Sequence, residues 1–508
     1  MASTIKEFYR TSHIFITGGT GFVGIALLEK LLRDVPFEKV YLLLRPKKGM
    51  SVEERLKQVL DNKIIKALNL DESETVKKFV LISGDIEQDN LGISEEQTQL
   101  IQSNVTVVIH SAASLDFGGS MKETGRANLL GTRRVLNLCA GMKKLKAMVH
   151  VSSAYANANL KFAEEIIYPT PGDAEKVIQM IEEVPEEELV KNAAELLGSH
   201  INMYTFTKAL AEHEVAKANS RHPTAIIRPS MIVGAWLEPV PGWTISRNGP
   251  QGFFMGAANG VVRRLPVDKD LIYDYIPIDV VVNHILVAAW IVDAKKPATT
   301  PVYHATSSTN NPFRWNCLLN QMTAVLHDYP SAKAIWYPTL KLLPSILIYR
   351  ISSIIFHFLP ALFFDAMLKV TGQRPKLIRL HRTINKSLHL LEPFIFNEWK
   401  FDNKNAMALE LEVPSEEKET FYLNISKLDW DHFFYNLAKG VRRYLMNEDD
   451  KTIEAAKRKD RRFMVMNILV QILFFYVLTL TLQFVTQGGF YSALMFSLPL
   501  FVSIMYFL

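Results

Sequence analysis

From His13 to about Ile291, short apolar runs alternate with helical stretches, the pattern of a parallel, doubly wound α/β sheet. Residues 13–16, 40–45, 79–86, 105–109, 149–155 and 225–230 read as six successive strands, and 274–279 as a segment returning the chain to the sheet. Pro312 starts a different composition. Residues 336–370 are strongly apolar, but Pro338, Lys341, Pro344, Arg350, Pro360, Asp365 and Lys369 argue against a clean membrane span, so core helices of a second, mainly helical domain are expected. Segments 394–403 and 428–444 complete that domain. After Arg462 no Asp, Glu, Lys, Arg or His occurs up to Leu508. Residues 463–485 are long enough to cross a hydrocarbon core of about 30 Å, and 490–508 nearly so. With the turn-like 486–489 between them they predict a C-terminal membrane hairpin. The expected domains are therefore 1–311, 312–455, and a basic flank with anchor at 456–508.

Composition changes this picture little. The 508 residues are 48% hydrophobic and 21% charged with a formal charge of +5, so no basic stripe points to nucleic acid. The two cysteines, Cys139 and Cys317, cannot build a disulfide framework and have no His or Cys partner nearby. They read as buried small hydrophobes, with no metal site. The N-terminus has no apolar signal region, and Lys457-Arg458-Lys459-Asp460-Arg461-Arg462 before the anchor predicts that everything upstream lies in the cytosol. The sequons at Asn104, Asn385 and Asn424 are accordingly expected to stay unglycosylated. Met505-Tyr506-Phe507-Leu508 offers no receptor-read sorting signal.

Chemistry concentrates first at Thr17-Gly18-Gly19-Thr20-Gly21-Phe22-Val23-Gly24, between the first apolar run and a helical pattern. Alone it is an ordinary glycine turn. Between strand and helix it is the context of a Rossmann dinucleotide site, with Gly18 for the tight turn, Gly21 for backbone approach to phosphate and Gly24 for close helix packing. The second strand ends in Arg45, followed by Lys47 and Lys48, where an NAD site usually carries an acid; positive charge there favours the 2′-phosphate of NADP. Asp85-Ile86 leaves the third strand, where Asp85 is a candidate for the adenine amine and equally a helix cap. Ala112, in His110-Ser111-Ala112-Ala113, lets the backbone pass close to a cofactor, and His110 reads as a satisfied strand-end histidine. The fifth strand ends at Ser152-Ser153. Fifty residues on, Tyr204 and Lys208 share a helix face. A cation beside a phenol lowers its pKa from about 10, fitting Tyr204 for proton transfer. Between Ser153 and Tyr204, an acidic stretch including Glu182, Glu183, Glu186 to Glu188 and Glu195 reads as a solvated helical cover, part of a lid over the site.

These motifs resemble an extended short-chain dehydrogenase/reductase. His150-Val151-Ser152-Ser153-Ala154-Tyr155-Ala156-Asn157, Tyr204-Thr205-Phe206-Thr207-Lys208, Arg228-Pro229-Ser230, Glu238-Pro239-Val240-Pro241-Gly242-Trp243 and Asn397-Glu398-Trp399-Lys400-Phe401-Asp402 resemble, more narrowly, the insect-like fatty acyl-CoA reductases. The resemblance covers nearly the whole chain. It implies reduction of a long-chain acyl-CoA to a primary alcohol through an aldehyde, with two NADPH, at a membrane of the endoplasmic reticulum or peroxisome and facing the cytosol. Ser153 would hold the carbonyl oxygen, Tyr204 would protonate it, and Lys208 would tune Tyr204 and bind the nicotinamide ribose. Thr17, Gly18, Gly21, Phe22, Val23, Gly24, Arg45, Asp85, Ile86, Ala112, Tyr204 and Lys208 would contact the cofactor. Position 153 is Ser where many relatives carry Thr, and Ser152 remains an alternative. A reductase of sterols or other lipids and an idle NADP-binding membrane scaffold are the competing readings. The core helices expected over 336–370 would also line an acyl tunnel or rest on the membrane, plain core being as consistent. Acyl length and oligomeric state stay open.

Overall fold

The computed structural model describes residues 3–47 and 49–507; Lys48 of the basic loop and Leu508 of the second candidate span lie outside them. Seven strands form one sheet: β1 His13–Thr17, β2 Lys39–Leu44, β3 Phe79–Ser83, β4 Val107–His110, β5 Ala147–Val151, β6 Thr224–Pro229 and β7 Val302–Ala305. Their order is β3-β2-β1-β4-β5-β6-β7, all parallel. The central strands are continuous runs of Val, Ile, Leu, Met and Phe because helices cover both faces. Winding reverses between β1 and β4, which opens a crevice at their carboxyl ends. The helix Ile278–Lys295, buried along most of its length, packs behind β5 and β6.

Two expectations about this region change. Residues 274–279 do not rejoin the main sheet: only Tyr275–Pro277 is extended, paired with Met231–Val233 in a separate two-stranded sheet, and a helix begins directly after Pro277. The seventh place is taken by Val302–Ala305, whose four residues include a buried His304 and give little apolar signal. Cys139 is buried as expected, but Cys317 is exposed.

The chain packs as two compact units that interleave in sequence. One contains 1–243, 272–313 and 399–429; the other contains 244–271, 314–398 and 430–508. Packing thus draws different lines from cuts at 311 and 455, since 399–429 adds a strand beside Phe162–Ala163 in the first unit. The second unit is mainly helical. Its last two helices, Ile453–Thr486 and Phe490–Phe507, form a hairpin closed by a Thr479–Ser497 hydroxyl contact at 2.8 Å and Phe475 against Phe501. Among the described residues, three helical stretches are long and apolar enough to cross a membrane: 346–370, 450–486 and 490–507. The first of them is mostly exposed, which departs from plain core.

Candidate active site

The glycine turn sits at the crevice. Gly18 has φ +79°, and a Cβ there would lie 2.7 Å from the Ala112 nitrogen, so turn and β4 exit meet backbone to backbone. At Gly24 a Cβ would lie 2.4 Å from the Gly19 Cα, so the close packing that requires glycine is helix on turn, not helix on strand. The helix Phe22–Asp34 starts at Gly21 without any side-chain cap, leaving its first N–H groups and positive dipole end for an anion. The Thr17 hydroxyl accepts from Ala112 N–H at 3.2 Å and lies 2.7 Å from His110 Nδ1. Thr132 donates to the Asn128 carbonyl, so its oxygen receives His110 Nε2–H at 3.1 Å, which leaves Nδ1 to accept from Thr17. Burial holds His110 neutral, its pKa pushed down to about 3. Its two bonds tie Thr17, at the start of the turn, to Thr132 of the helix Gly131–Ala140.

Arg45 and Asp85 come together: the guanidinium lies 3.1 Å from the Asp85 carboxylate and 3.6 Å from Glu87. Arg55, absent from the sequence reading, donates to the Arg45 carbonyl at 2.6 Å and to the Thr20 hydroxyl at 2.8 Å, linking β2's exit to the glycine turn. The signal for it was a capping box, Ser51 with Glu54, that fixes the start of its helix. Ile86 is buried and packs over Gly131. Phe22 packs against Trp243, their rings 5.3 Å apart.

At the end of β5 the two serines part company. Ser152 donates to Glu212 at 2.6 Å, and Glu212 is itself gripped by Arg228 through contacts of 2.6 and 2.9 Å, all three buried. Ser153 does not share that network: its hydroxyl accepts from Tyr155 N–H at 3.2 Å and acts on the Tyr204 phenol. Lys208 Nζ donates to the Val151 carbonyl at 2.9 Å, one turn along the helix Met203–Ala218 from Tyr204. Burial pushes the phenol up to about 12, with Ser153 pulling it down, and pushes the Lys208 ammonium down to about 8 against Glu212's attraction. Desolvation therefore dominates both groups in the protein alone, in place of the lowering of Tyr204 expected from Lys208. Asn128, in a π-helical turn, accepts from Ser114 N–H at 2.8 Å and donates to Thr207 at 3.3 Å, tying the 111–116 loop to the same helix. The acidic segment is more than a solvated cover. Val177, Ile178, Ile181 and Leu189 pack with Leu129 and Phe206, and Glu186 caps Met121 and Lys122 at 2.7 and 3.0 Å. Among the described residues no group of His, Cys, Asp or Glu could hold a metal ion.

The crevice accommodates a dinucleotide, since the uncapped helix and the glycines that bring backbone together are what a pyrophosphate needs. Fold and site define an NAD(P)-binding oxidoreductase with a short-chain dehydrogenase/reductase arrangement. Residues 16–285 match the NAD-binding model, and residues 356–448 the C-terminal model, of the family described as male sterility protein. The Drosophila melanogaster protein CG8306, which carries the name fatty acyl-CoA reductase provisionally, is 49% identical over 94% of each chain. Fatty acyl-CoA reductase 1 of Xenopus laevis is 35% identical, and that of Homo sapiens 32%, each over 90% of this chain and 88% of its own. The chain belongs to the fatty acyl-CoA reductase family. The fold is shared with the terminal reductase domain of the myxalamid pathway (TM-score 0.55, 19% identity, 86% of this chain and 90% of that one). It is also shared with a nonribosomal peptide synthetase reductase domain of Mycobacterium tuberculosis (TM-score 0.55, 16% identity, 88% and 94%).

Proposed function

We propose that this protein reduces long-chain acyl-CoA to the primary alcohol at a membrane surface, using two NADPH and passing through the aldehyde. The observation that carries the reading is buried Tyr204 one helical turn from buried Lys208, whose Nζ donates to the Val151 carbonyl two residues before Ser153, at the sheet end where the glycine turn opens. Bound nicotinamide would supply hydride to the carbonyl carbon, once for the thioester, which then loses CoA as its thiolate to leave the aldehyde, and once for the aldehyde. Ser153 donates to the carbonyl oxygen as negative charge develops there, and Tyr204 delivers the proton that completes the alcohol. Lys208, charged near neutral pH, favours that proton's departure from the phenol and holds the ribose hydroxyls. Ser152, engaged by Glu212, takes no part. Thr17, Gly18, Gly21, Phe22, Val23 and Gly24 line the pyrophosphate cradle, Ile86 and Ala112 flank it, and Asp85 reaches the adenine side.

For the 2′-phosphate we assign Arg45 together with Arg55. Arg45→Ala and Arg55→Ala should each weaken NADPH binding by about ten- to a hundred-fold, the range of a charge-assisted hydrogen bond. NADH binding should hardly move, and equal losses for both cofactors in fluorescence titrations would remove the 2′-phosphate from the assignment.

The domain at 312–455 and the 456–508 anchor would present the lipid substrate, with the basic flank Lys457–Arg462 on the cytosolic side of the endoplasmic reticulum or peroxisome. Product analysis tests the whole reading. Membranes carrying the protein, given palmitoyl-CoA and NADPH, should yield fatty alcohol with two NADPH consumed per molecule. Release of aldehyde alone would refute the second reduction, and NADPH binding without any acyl product would refute the substrate.

A further inference from the structure

The stretch 346–370 is helical throughout and inside out for a water-soluble protein. Its inward stripe, at helical spacing, is Tyr349, Ser352, Ser353, His357, Ala361 and Asp365. Its outward residues include Leu347, Ile354, Leu359, Leu362, Phe363 and Val370, with Phe363 63% and Val370 88% exposed against 1% for His357. Hydrophobic burial in water favours the opposite arrangement.

The inward polar groups fix the orientation. His357 Nε2 accepts from the backbone N–H groups of Arg263 and Arg264 at 3.0 and 3.1 Å. The Asp365 carboxylate accepts from Lys376, Leu377 and Ile378 N–H, each at 2.9 Å, capping the next helix, Leu377–Ile395. Tyr349 donates to Asn385 on that helix. Turning the apolar side inward would break all of these contacts, so the side facing out is held out.

Two further observations say what covers it. Trp336 packs on Phe364 of this stretch and on Phe463 at the foot of the hairpin, at ring distances of 6.1 and 6.4 Å, and donates to Asn467 at 3.1 Å. Lys341, five residues before the helix, donates to the Met505 carbonyl at 3.2 Å, near the end of the hairpin's second helix. Both contacts lie at the open end of the hairpin, where a bilayer surface would run and where Trp is at home. Charge agrees: 346–391 carries seven Lys and Arg against one carboxylate, Asp365, which faces inward. Arg374, Lys376, Arg379, Arg382 and Lys386 are all exposed.

We propose that the 346–370 helix lies in the surface of an anionic bilayer, its Leu, Ile and Phe side among the upper acyl chains and the neighbouring basic residues at the headgroups, as a contact separate from the hairpin. This rests on the reading of the hairpin as a membrane anchor. Pro360 and the inward polar stripe, bonded to protein along its length, suit a helix lying on the membrane with protein on one side, not one surrounded by lipid.

The test uses the full chain with Cys317→Ser, reconstituted in phosphatidylcholine vesicles with and without phosphatidylserine. Nitroxides are attached in turn through Ile354→Cys, Phe363→Cys, Phe474→Cys in the hairpin and Gln99→Cys, an exposed control. Collision with oxygen and with a water-soluble nickel complex gives their depth. Positions 354 and 363 should both be lipid-exposed at a similar, shallow depth of about 5–10 Å, while 474 is deep and 99 aqueous. Aqueous 363 with deep 474 overturns the surface contact and leaves the anchor standing; aqueous 474 overturns the anchor itself. Depths at 354 and 363 reaching the bilayer centre overturn the lying arrangement in favour of a third span. Removing phosphatidylserine should raise the nickel accessibility of 363, and an unchanged signal overturns the anionic preference.

Discussion

Tyr204→Phe is expected to lower turnover by about a hundred- to ten-thousand-fold, the usual share of a positioned proton donor, while NADPH still binds. The ring is 7% exposed and packs 5.1 Å from Phe117, contacts that phenylalanine keeps. Only the phenol's proton and its interaction with the Ser153 hydroxyl are lost. Ser153→Ala should fall in the same direction and Ser152→Ala should not, because the Ser152 hydroxyl is turned to Glu212. The proposed mechanism also fixes a pH dependence. Burial lowers Lys208 to about 8, so it is charged below that value and neutral above it. If its charge assists Tyr204, kcat/KM falls as pH rises through about 8, and Lys208→Arg, which cannot lose its proton, abolishes that limb. Full activity in Tyr204→Phe would remove it from the chemistry, and an unchanged alkaline limb in Lys208→Arg would assign the titration elsewhere.

What could be read from the sequence was what proximity along the chain encodes. The turn Gly18 to Gly24, the Tyr204–Lys208 pair and the strand periods that set the sheet are local, and the structure brings all of them to one end of the sheet. Ser152 and Ser153 mark the boundary. Successive residues leaving a strand point opposite ways, and which one meets Tyr204 depends on Glu212, 60 positions later. Arg55 escaped notice because its partners, Thr20 and the Arg45 carbonyl, lie in other elements. The same limit applies to 346–370. Composition alone allowed core or surface, and only the long-range bonds from His357 to Arg263 and Arg264 turn its apolar side outward.

Arg228→Met should cost about 3–5 kcal/mol of folding stability, the range for breaking a buried ion pair from one side. Arg228 is fully buried; besides Glu212 it supplies the Glu164 and Ile166 carbonyls at 3.1 and 2.8 Å and meets His304 at 3.2 Å. Methionine fills much of the same volume, so the loss is mainly electrostatic: the buried Glu212 carboxylate loses its guanidinium partner and keeps, among the described residues, the Ser152 hydroxyl as donor. Adding Glu212→Gln removes that stranded charge while keeping an acceptor for Ser152. The double variant should therefore unfold at a higher temperature than Arg228→Met alone, although each single change lowers the midpoint of the intact protein. Additive losses in this cycle would mean the pair is not coupled, and the orientation of Ser152 would then need another cause. Coupling would join stability to chemistry at one place, because the contact that holds β5's exit also keeps Ser152 away from the carbonyl oxygen that the proposed mechanism gives to Ser153 and Tyr204.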